Sequence, residues 1–361
     1  MAKIAILGAG VMGGALSVPA TVDNDVTLIG SPLDDDIVQS VRQTRHHPGL
    51  DLLLPDTLAV RCATEYNDRI ISDADVIVIG VSSPGVEWAL HEMASRHAKP
   101  DILALVTKGL VASPDAQAPP QTYAQYIDPE RTYPANRVVG IGGPCIAREL
   151  ALKYPTRVSF ASNDSNAASK LRTIMQTDYY RITTHSDITG LEACAALKNF
   201  MCIGVSAMFS AHELDGGYAK NPMAALYNQA VREIAILSHW ITQAATSATN
   251  KTDKQSRILG LSNVAFDLAG MGDLHVTVGG GRNSRLGRLM GAGERLQHIM
   301  QNSMSGVTVE GVDTGRRLLS GFRAACNSGE LDIQALPLAS AILAAIADNE
   351  PFRFDFKLLP D

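Results

Sequence analysis

Cysteine is scarce in this chain: the 361 residues hold five, Cys62, Cys145, Cys194, Cys202 and Cys326. They are odd in number, widely spaced and form no C-x-x-C pair, which argues against a disulfide scaffold or a zinc site and suits reduced thiols in a cytoplasm. No metal is implied. Acidic and basic tails are also missing, and with 19% charged residues and a formal net charge of -6 nucleic acid is an unlikely partner. No stretch reaches the roughly 18 uncharged apolar residues expected of a membrane span, and no internal repeat is visible. The run from Lys3 to Ser17-Val18-Pro19-Ala20 has the outline of a signal peptide. However, Gly8, Gly10, Gly13 and Gly14 interrupt its apolar core where a nucleotide turn needs them.

The chain is too long for one ordinary domain and comfortable for two, and its 46% apolar content can give each half a core. Through the first half, short β-branched runs recur at Lys3 to Leu7, Val26 to Ile29, Asp75 to Val81, Ile102 to Thr107, Arg137 to Ile141, Arg157 to Ala161 and Tyr180 to Thr184. Continuous apolar strands separated by helix-sized gaps predict a parallel sheet covered on both faces. After about residue 186 the strands stop. Leu191 to Phe209, Pro222 to Gln243 and Ala335 to Ala347 read as helices, and Ala244 to Asp253 as an exposed polar loop. The expectation is an α/β fold: a doubly wound, mostly parallel domain over 1–186, then an all-α domain over 187–361. The apolar helix Ala335 to Ala347 suggests a homodimer face.

The first strand runs directly into Gly8-Ala9-Gly10-Val11-Met12-Gly13, a G-x-G-x-x-G at the start of a helix. Gly8 permits the tight turn, Gly10 lets the backbone approach a pyrophosphate, and Gly13 lets the helix pack close to the strand. This is the dinucleotide turn of a Rossmann domain. The second strand ends at Gly30-Ser31-Pro32, with Asp34, Asp35 and Asp36 only afterwards. Neither an acid at the strand tip, which would favour NAD, nor an arginine for the 2′-phosphate of NADP is plain, so the cofactor is read as NAD or NADP.

In the second half, Lys198 and Glu192 are the only charges in a long apolar segment, and Cys194, Ala195, Met201 and Cys202 flank the lysine at helical spacing. Desolvation of the ammonium would lower its pKa and let it exchange a proton with a carbinol, whereas a lysine snorkelling to the surface is the bland alternative. Further on, Gly270-Met271-Gly272-Asp273-Leu274 precedes Gly279-Gly280-Gly281-Arg282-Asn283 and a basic helix. Glycines, a guanidinium and a helix N-terminus together suit a phosphate, and a glycine-rich surface turn is the alternative.

In order along the chain stand His47-Pro48-Gly49-Leu50, Thr107-Lys108-Gly109, Gly143-Pro144-Cys145-Ile146-Ala147-Arg148-Glu149, Asp187 to Glu192, Ala196-Leu197-Lys198-Asn199, the two glycine segments and Val309-Glu310-Gly311-Val312. With the glycine turn, these resemble the soluble NAD(P)-dependent glycerol-3-phosphate dehydrogenases over nearly the whole length. The resemblance implies reversible hydride transfer between nicotinamide and C2 of dihydroxyacetone phosphate or sn-glycerol 3-phosphate. Lys198 would be the proton donor and acceptor, held by Asp273, with Lys108 and Asn199 orienting the substrate, Thr277 in the polar wall, and Arg282 with Asn283 on the phosphate. Gly143, Cys145 and Gly281 match substrate-side positions. Gly8, Gly10, Val11, Met12, Gly13, Ser31, Ala147, Arg282 and Glu310 match cofactor-side ones.

Cys145 stands where the family usually has serine or asparagine, Met12 where tryptophan is frequent, and Met223 where a cation is usual. His275 is a polar group the family mostly lacks, and the chain between Glu233 and Leu261 is longer than the pattern needs. Cys145 and His275 leave open the same chemistry on another phosphorylated or acidic ketone, and a fold of this kind alone also leaves open a non-catalytic dinucleotide sensor.

Overall fold

The computed structural model describes residues 1–65, 68–127, 137–214, 217–218, 220–243 and 263–360. The expected polar loop at 244–253, and most of the long 233–261 stretch, lie outside the described residues. The chain divides into two compact units, Met1–Lys108 with Ile127–Ile188, and Gly109–Tyr126 with Thr189–Asp361.

The first unit is built on β1 (Lys3–Leu7), β2 (Asp25–Ile29), β3 (His46–His47), β4 (Leu52–Leu53), β5 (Ala59–Arg61), β6 (Val76–Ile79), β7 (Ile102–Leu105), β8 (Val138–Gly142), β9 (Thr156–Ala161) and β10 (Tyr180–His185). Eight of them form one sheet in the order β10-β9-β8-β7-β6-β1-β2-β5, and β3 pairs with β4 in a separate hairpin. Pairing is parallel from β5 through to β8. β9 then runs antiparallel to β8, and β10 runs parallel to β9. The seven strands expected from sequence are present; β5, only three residues long, carries too short a run to stand out. Every residue of β6 and β7 is buried, as an apolar run without alternation requires when both faces are covered.

Among the described residues, the second unit is helical apart from a hairpin of two short strands, Glu213–Leu214 with Gly217–Tyr218, and an antiparallel bridge between Val111 and Gln121. Its long elements are the helices Ile188–Ala211, Lys220–Gln243, Glu310–Ser328 and Pro337–Ala347. Ile188–Ala211 is long and apolar enough to cross a membrane by length and composition only, and Glu192 and Lys198 within it leave no run of 18 uncharged residues. However, 89% of its most apolar 18 residues are buried inside the protein, as in a core helix. Pro337–Ala347 likewise spends its apolar face within the chain: Leu338, Ile342, Leu343 and Ile346 are buried. It is therefore not the exposed dimer face that its composition suggests.

Gly109–Tyr126, placed with the first domain by sequence, belongs to the second unit. The buried Glu192 carboxylate accepts the Ala124 N–H at 2.8 Å, Gln125 Nε2 donates to the Ile241 carbonyl, and the Ala118 carbonyl packs against Gly321, where a Cβ would come within 2.4 Å. These long-range contacts involve residues with no local pattern, so a linear reading cannot see them.

Candidate active site

In the first unit, β1 delivers the glycine turn. Gly8 has φ +110°, a left-handed conformation that favours glycine, and a Cβ on Gly13 would lie 1.9 Å from the Gly8 carbonyl oxygen. A Cβ on Gly10 would meet no atom within 4 Å. The helix Val11–Ala20 has Gly10 as its N-cap, no side-chain cap and no acid in its first turn, so its positive end is left for an anion. This donor set fits a dinucleotide pyrophosphate: a cradle of backbone N–H groups that one Cβ would narrow.

Two side chains hold that turn, and sequence alone assigns this role to neither. His47 is fully buried; its Nδ1 accepts from the Leu50 N–H at 3.2 Å, so Nε2 carries the proton and donates to the Ala9 carbonyl at 2.9 Å. Asp34 Oδ2 accepts from the Ala9 N–H at 3.0 Å, and from the Ser31 N–H and hydroxyl at 2.8 and 2.7 Å. A histidine before Pro48-Gly49 and an acid at a helix start are the available signals, and both read equally well as turn chemistry.

The other expected site residues of this unit gather beyond the turn. Met12, Lys108, Gly143 and Cys145 line one small cavity together with Tyr180. Gly143 has φ +121° immediately after β8. Ala147, buried, begins the short helix Ala147–Ala151, and Val11 is 44% exposed at the start of its own helix.

In the second unit a network is built on the helix Ile188–Ala211. Lys198 is buried, yet its ammonium is not bare: Nζ donates to Asp273 Oδ1 at 3.0 Å and to Thr277 Oγ1 at 2.6 Å. Thr277 Oγ1 in turn donates to the Asp273 carbonyl at 2.7 Å. The snorkelling alternative is thereby excluded. So is a purely apolar setting, because a carboxylate and a hydroxyl face the amine. Asn199, the next residue, accepts from Asn283 Nδ2 at 3.0 Å, and Asn283 Oδ1 accepts the Gly311 N–H at 2.9 Å. Gly311 permits this close approach, since a Cβ there would fall 2.4 Å from the Asn199 carbonyl oxygen. With its oxygen occupied, Asn199 is fixed with its amide N–H groups free of protein partners among the described residues.

Asp273 emerges from a single π-helical turn, Leu268–Gly272, into the helix Asp273–Gly279. Gly270 sits so tightly on the Ala265 backbone that a Cβ would lie 2.2 Å from its carbonyl oxygen. The extra residue of a π turn re-aims the side chains after it, and such turns recur at functional sites for that reason. Nothing in the local sequence beyond the two glycines signals it.

The glycine loop before Arg282 is open, since a Cβ at Gly279, Gly280 or Gly281 would meet nothing within 4 Å. The helix Arg282–Gly291 has Gly281 as its N-cap, with φ +93°, no side-chain cap and no acid in its first turn. Arg282 makes an ion pair with Glu310 across this loop and remains half exposed. Burial pushes the Cys202 thiol, one turn past Lys198, up to about 11 and keeps it unreactive. His275 points to solvent, edge-on to the Tyr227 ring.

The family pattern described as NAD-dependent glycerol-3-phosphate dehydrogenase N-terminus matches residues 3–168, and the corresponding C-terminus pattern matches 187–353. A relative from Archaeoglobus fulgidus, an NADP(+)-dependent glycerol-3-phosphate dehydrogenase, is 31% identical over 325 residues, covering 87% of this chain and 88% of its own. The glycerol-3-phosphate dehydrogenase [NAD(P)+] of Listeria monocytogenes is 28% identical over 362 residues, covering 99% and 95%. Among solved structures, the glycerol-3-phosphate dehydrogenase of Coxiella burnetii superposes with a TM-score of 0.71 over 97% of this chain and 96% of its own, at 22% identity, which speaks to the fold. The chain belongs to the NAD-dependent glycerol-3-phosphate dehydrogenase family.

Proposed function

We propose that this chain interconverts dihydroxyacetone phosphate and sn-glycerol 3-phosphate with NAD(P), acting in the cytoplasm on a small phosphorylated substrate. The observation that carries the reading is the buried Lys198 ammonium, held between Asp273 and Thr277 and adjoining an amide whose N–H groups face no protein acceptor among the described residues.

A bound nicotinamide supplies or accepts the hydride at C2. Everything else falls to the chain's own groups. In reduction, charge develops on the C2 oxygen, and Lys198 stabilises it and delivers its proton there; in oxidation, the neutral amine takes the hydroxyl proton. Asp273 and Thr277 fix the direction of Nζ, since a donor held in place needs no reorganisation as charge develops. Asn199 offers its amide N–H groups to a substrate oxygen, locked by Asn283. In the first unit, Lys108, Gly143 and Cys145 match substrate-side positions of the family, and Lys108 carries a cation suited to a ketone oxygen.

The phosphate binds at Gly281, Arg282 and Asn283, where an uncapped helix end and a guanidinium suit a dianion. Asn283 already gives one amide hydrogen to Asn199 and keeps the other for this purpose. In the first unit Gly8, Gly10, Val11, Met12, Gly13, Ser31 and Ala147 would hold the dinucleotide; in the second, Arg282 and Glu310 match cofactor-side positions of the family. The experiment is a loss of NADH or NADPH absorbance on adding dihydroxyacetone phosphate to the purified protein. Turnover is expected with at least one cofactor, and none with either overturns the proposal.

A further inference from the structure

We propose that Arg157, Arg172 and Arg181 form a second anion site in the first unit, one that takes a small molecule carrying two phosphates. The site uses none of the residues assigned a role above and stands or falls independently of them.

β10 is an edge strand of the sheet and pairs in parallel with β9, with Arg181 in register with Arg157. In-register neighbours on adjacent strands leave the same face of a sheet, so the two side chains start out side by side. Arg172 comes from the last turn of the helix Ser165–Met175, and the three arginines line one cavity of about 420 Å³ with Gln176, Ile182 and Thr183. No acid is among these six residues. All three arginines are exposed, and none has a side-chain ion pair or hydrogen bond among the described residues. Elsewhere in the unit arginines meet acids: Arg42 pairs with Glu65, Arg45 with Asp56, and Arg96 with Asp68 and Glu92. Like charges on adjacent strands repel, so this cluster lacks a counter-charge that no side chain of its lining supplies.

The lining also sets the class of ligand. Gln176 Oε1 accepts the Ile182 N–H at 3.2 Å, which leaves its Nε2 as a further donor. No aromatic ring stands in the lining to stack a base, and Ile182, its one apolar member, is buried, so neither a nucleobase nor an acyl chain finds a seat. What the cavity offers is charge and forked N–H donors, the chemistry that binds phosphate oxygens in pairs. A single phosphate ester carries a charge of about -1.5 to -2, too little for three guanidiniums, whereas two phosphates match them. Val158 and Tyr180, the chain neighbours of Arg157 and Arg181, point the other way and line the cavity that holds Lys108, Gly143 and Cys145. β9 and β10 therefore separate the arginine cavity from the expected substrate side of this unit.

The test is calorimetric titration of the full chain with inorganic pyrophosphate and, separately, inorganic phosphate. Pyrophosphate is expected to bind at least about tenfold tighter than phosphate, and the double variant Arg157→Gln, Arg181→Gln to weaken it at least about tenfold, while Arg282→Ala leaves this site intact. A bisphosphorylated sugar that displaces pyrophosphate at lower concentration would place the two phosphates on separate carbons, and the reverse order would place them in one diphosphate group. On the unaltered chain, pyrophosphate should protect Arg157, Arg172 and Arg181 from phenylglyoxal, read by peptide mass spectrometry, a measurement that needs no variant to fold. Equal binding of phosphate and pyrophosphate, an adventitious ion only, overturns the proposal. So does pyrophosphate binding that the double variant leaves unchanged or that only Arg282→Ala abolishes, and so does the absence of protection at the three arginines.

Discussion

The two units present the same local device, one that suits an anion, and differ in everything around it. In each, a glycine N-cap leads into a helix with no side-chain cap and no acid in its first turn, at Gly10 and at Gly281. The first unit then works almost wholly through backbone, with Asp34 and His47 bracing the Ala9 peptide from its two sides. The second works through side chains from four separate segments, linked as Thr277, Asp273 and Lys198, then Asn199, Asn283 and the Gly311 peptide. Binding a common cofactor needs only a shaped backbone, whereas moving a proton needs a particular side chain held at a particular atom.

The sharpest way to break this contrast is Lys198→Ala. If the second unit carries the chemistry, kcat falls by about 10³-fold or more while dinucleotide affinity, measured by fluorescence, is unchanged. A small rate loss would mean that the side-chain network is structural. Next in size is the pair Gly13→Ala and Gly10→Ala. The first drives a Cβ into the Gly8 carbonyl and should cost about 3 kcal/mol in chemical denaturation along with dinucleotide binding. The second meets no protein atom, so it should leave stability within about 1 kcal/mol and weaken only the cofactor. Equal destabilisation by both would refute the open cradle.

Arg282→Ala tests the loop end of the second unit. It should raise KM for the phosphorylated ketone by about tenfold, and Arg282→Lys should recover only part because the fork is lost.

The smallest effect concerns a buried carboxylate with no part in the chemistry. Glu233 accepts the Leu338 and Ala339 N–H groups, capping the helix Pro337–Ala347, and burial raises its pKa to about 7. A folded-state value above the unfolded one means that the folded chain binds more protons between about pH 4.5 and 7. Its contribution is fully present below that window and is lost as pH rises through it. Glu192, also raised to about 7 by burial, acts in the same direction. Glu233→Gln removes the charge but turns an NH2 toward one of the three donors that the carboxylate accepts, from Gln229, Leu338 and Ala339, so it should be less stable than the unaltered protein at pH 5, with the deficit shrinking at pH 8. Thermal midpoints at the two pH values check the sign.

Legibility in the sequence divides along the same line. The glycine turn can be read because Gly8 and Gly13 are demanded by local geometry, and the long strands and helices because their apolar runs are continuous. Lys198 is visible as a lone cation on an apolar helix, but its partners lie 75 and 79 residues away. Only the family resemblance points to Asp273 and Thr277. Asp34 is plain in the sequence as an acid past the strand tip, yet a side chain that folds back three residues has no signature in linear spacing. The π turn at Leu268–Gly272 and the return of Gly109–Tyr126 to the second unit depend on close contacts between distant backbones, to which periodicity is blind.

That returning segment has a practical result. The polypeptide passes from one unit to the other three times, after Lys108, Tyr126 and Ile188, so no single cut yields two whole pieces. A fragment ending near residue 186 would carry Gly109–Tyr126 without the carboxylate that receives the Ala124 N–H, and its complement would keep a buried glutamate with nothing to hold. The two halves are woven rather than strung together, and swapping modules between relatives would require two splice points inside the first half as well as one after it.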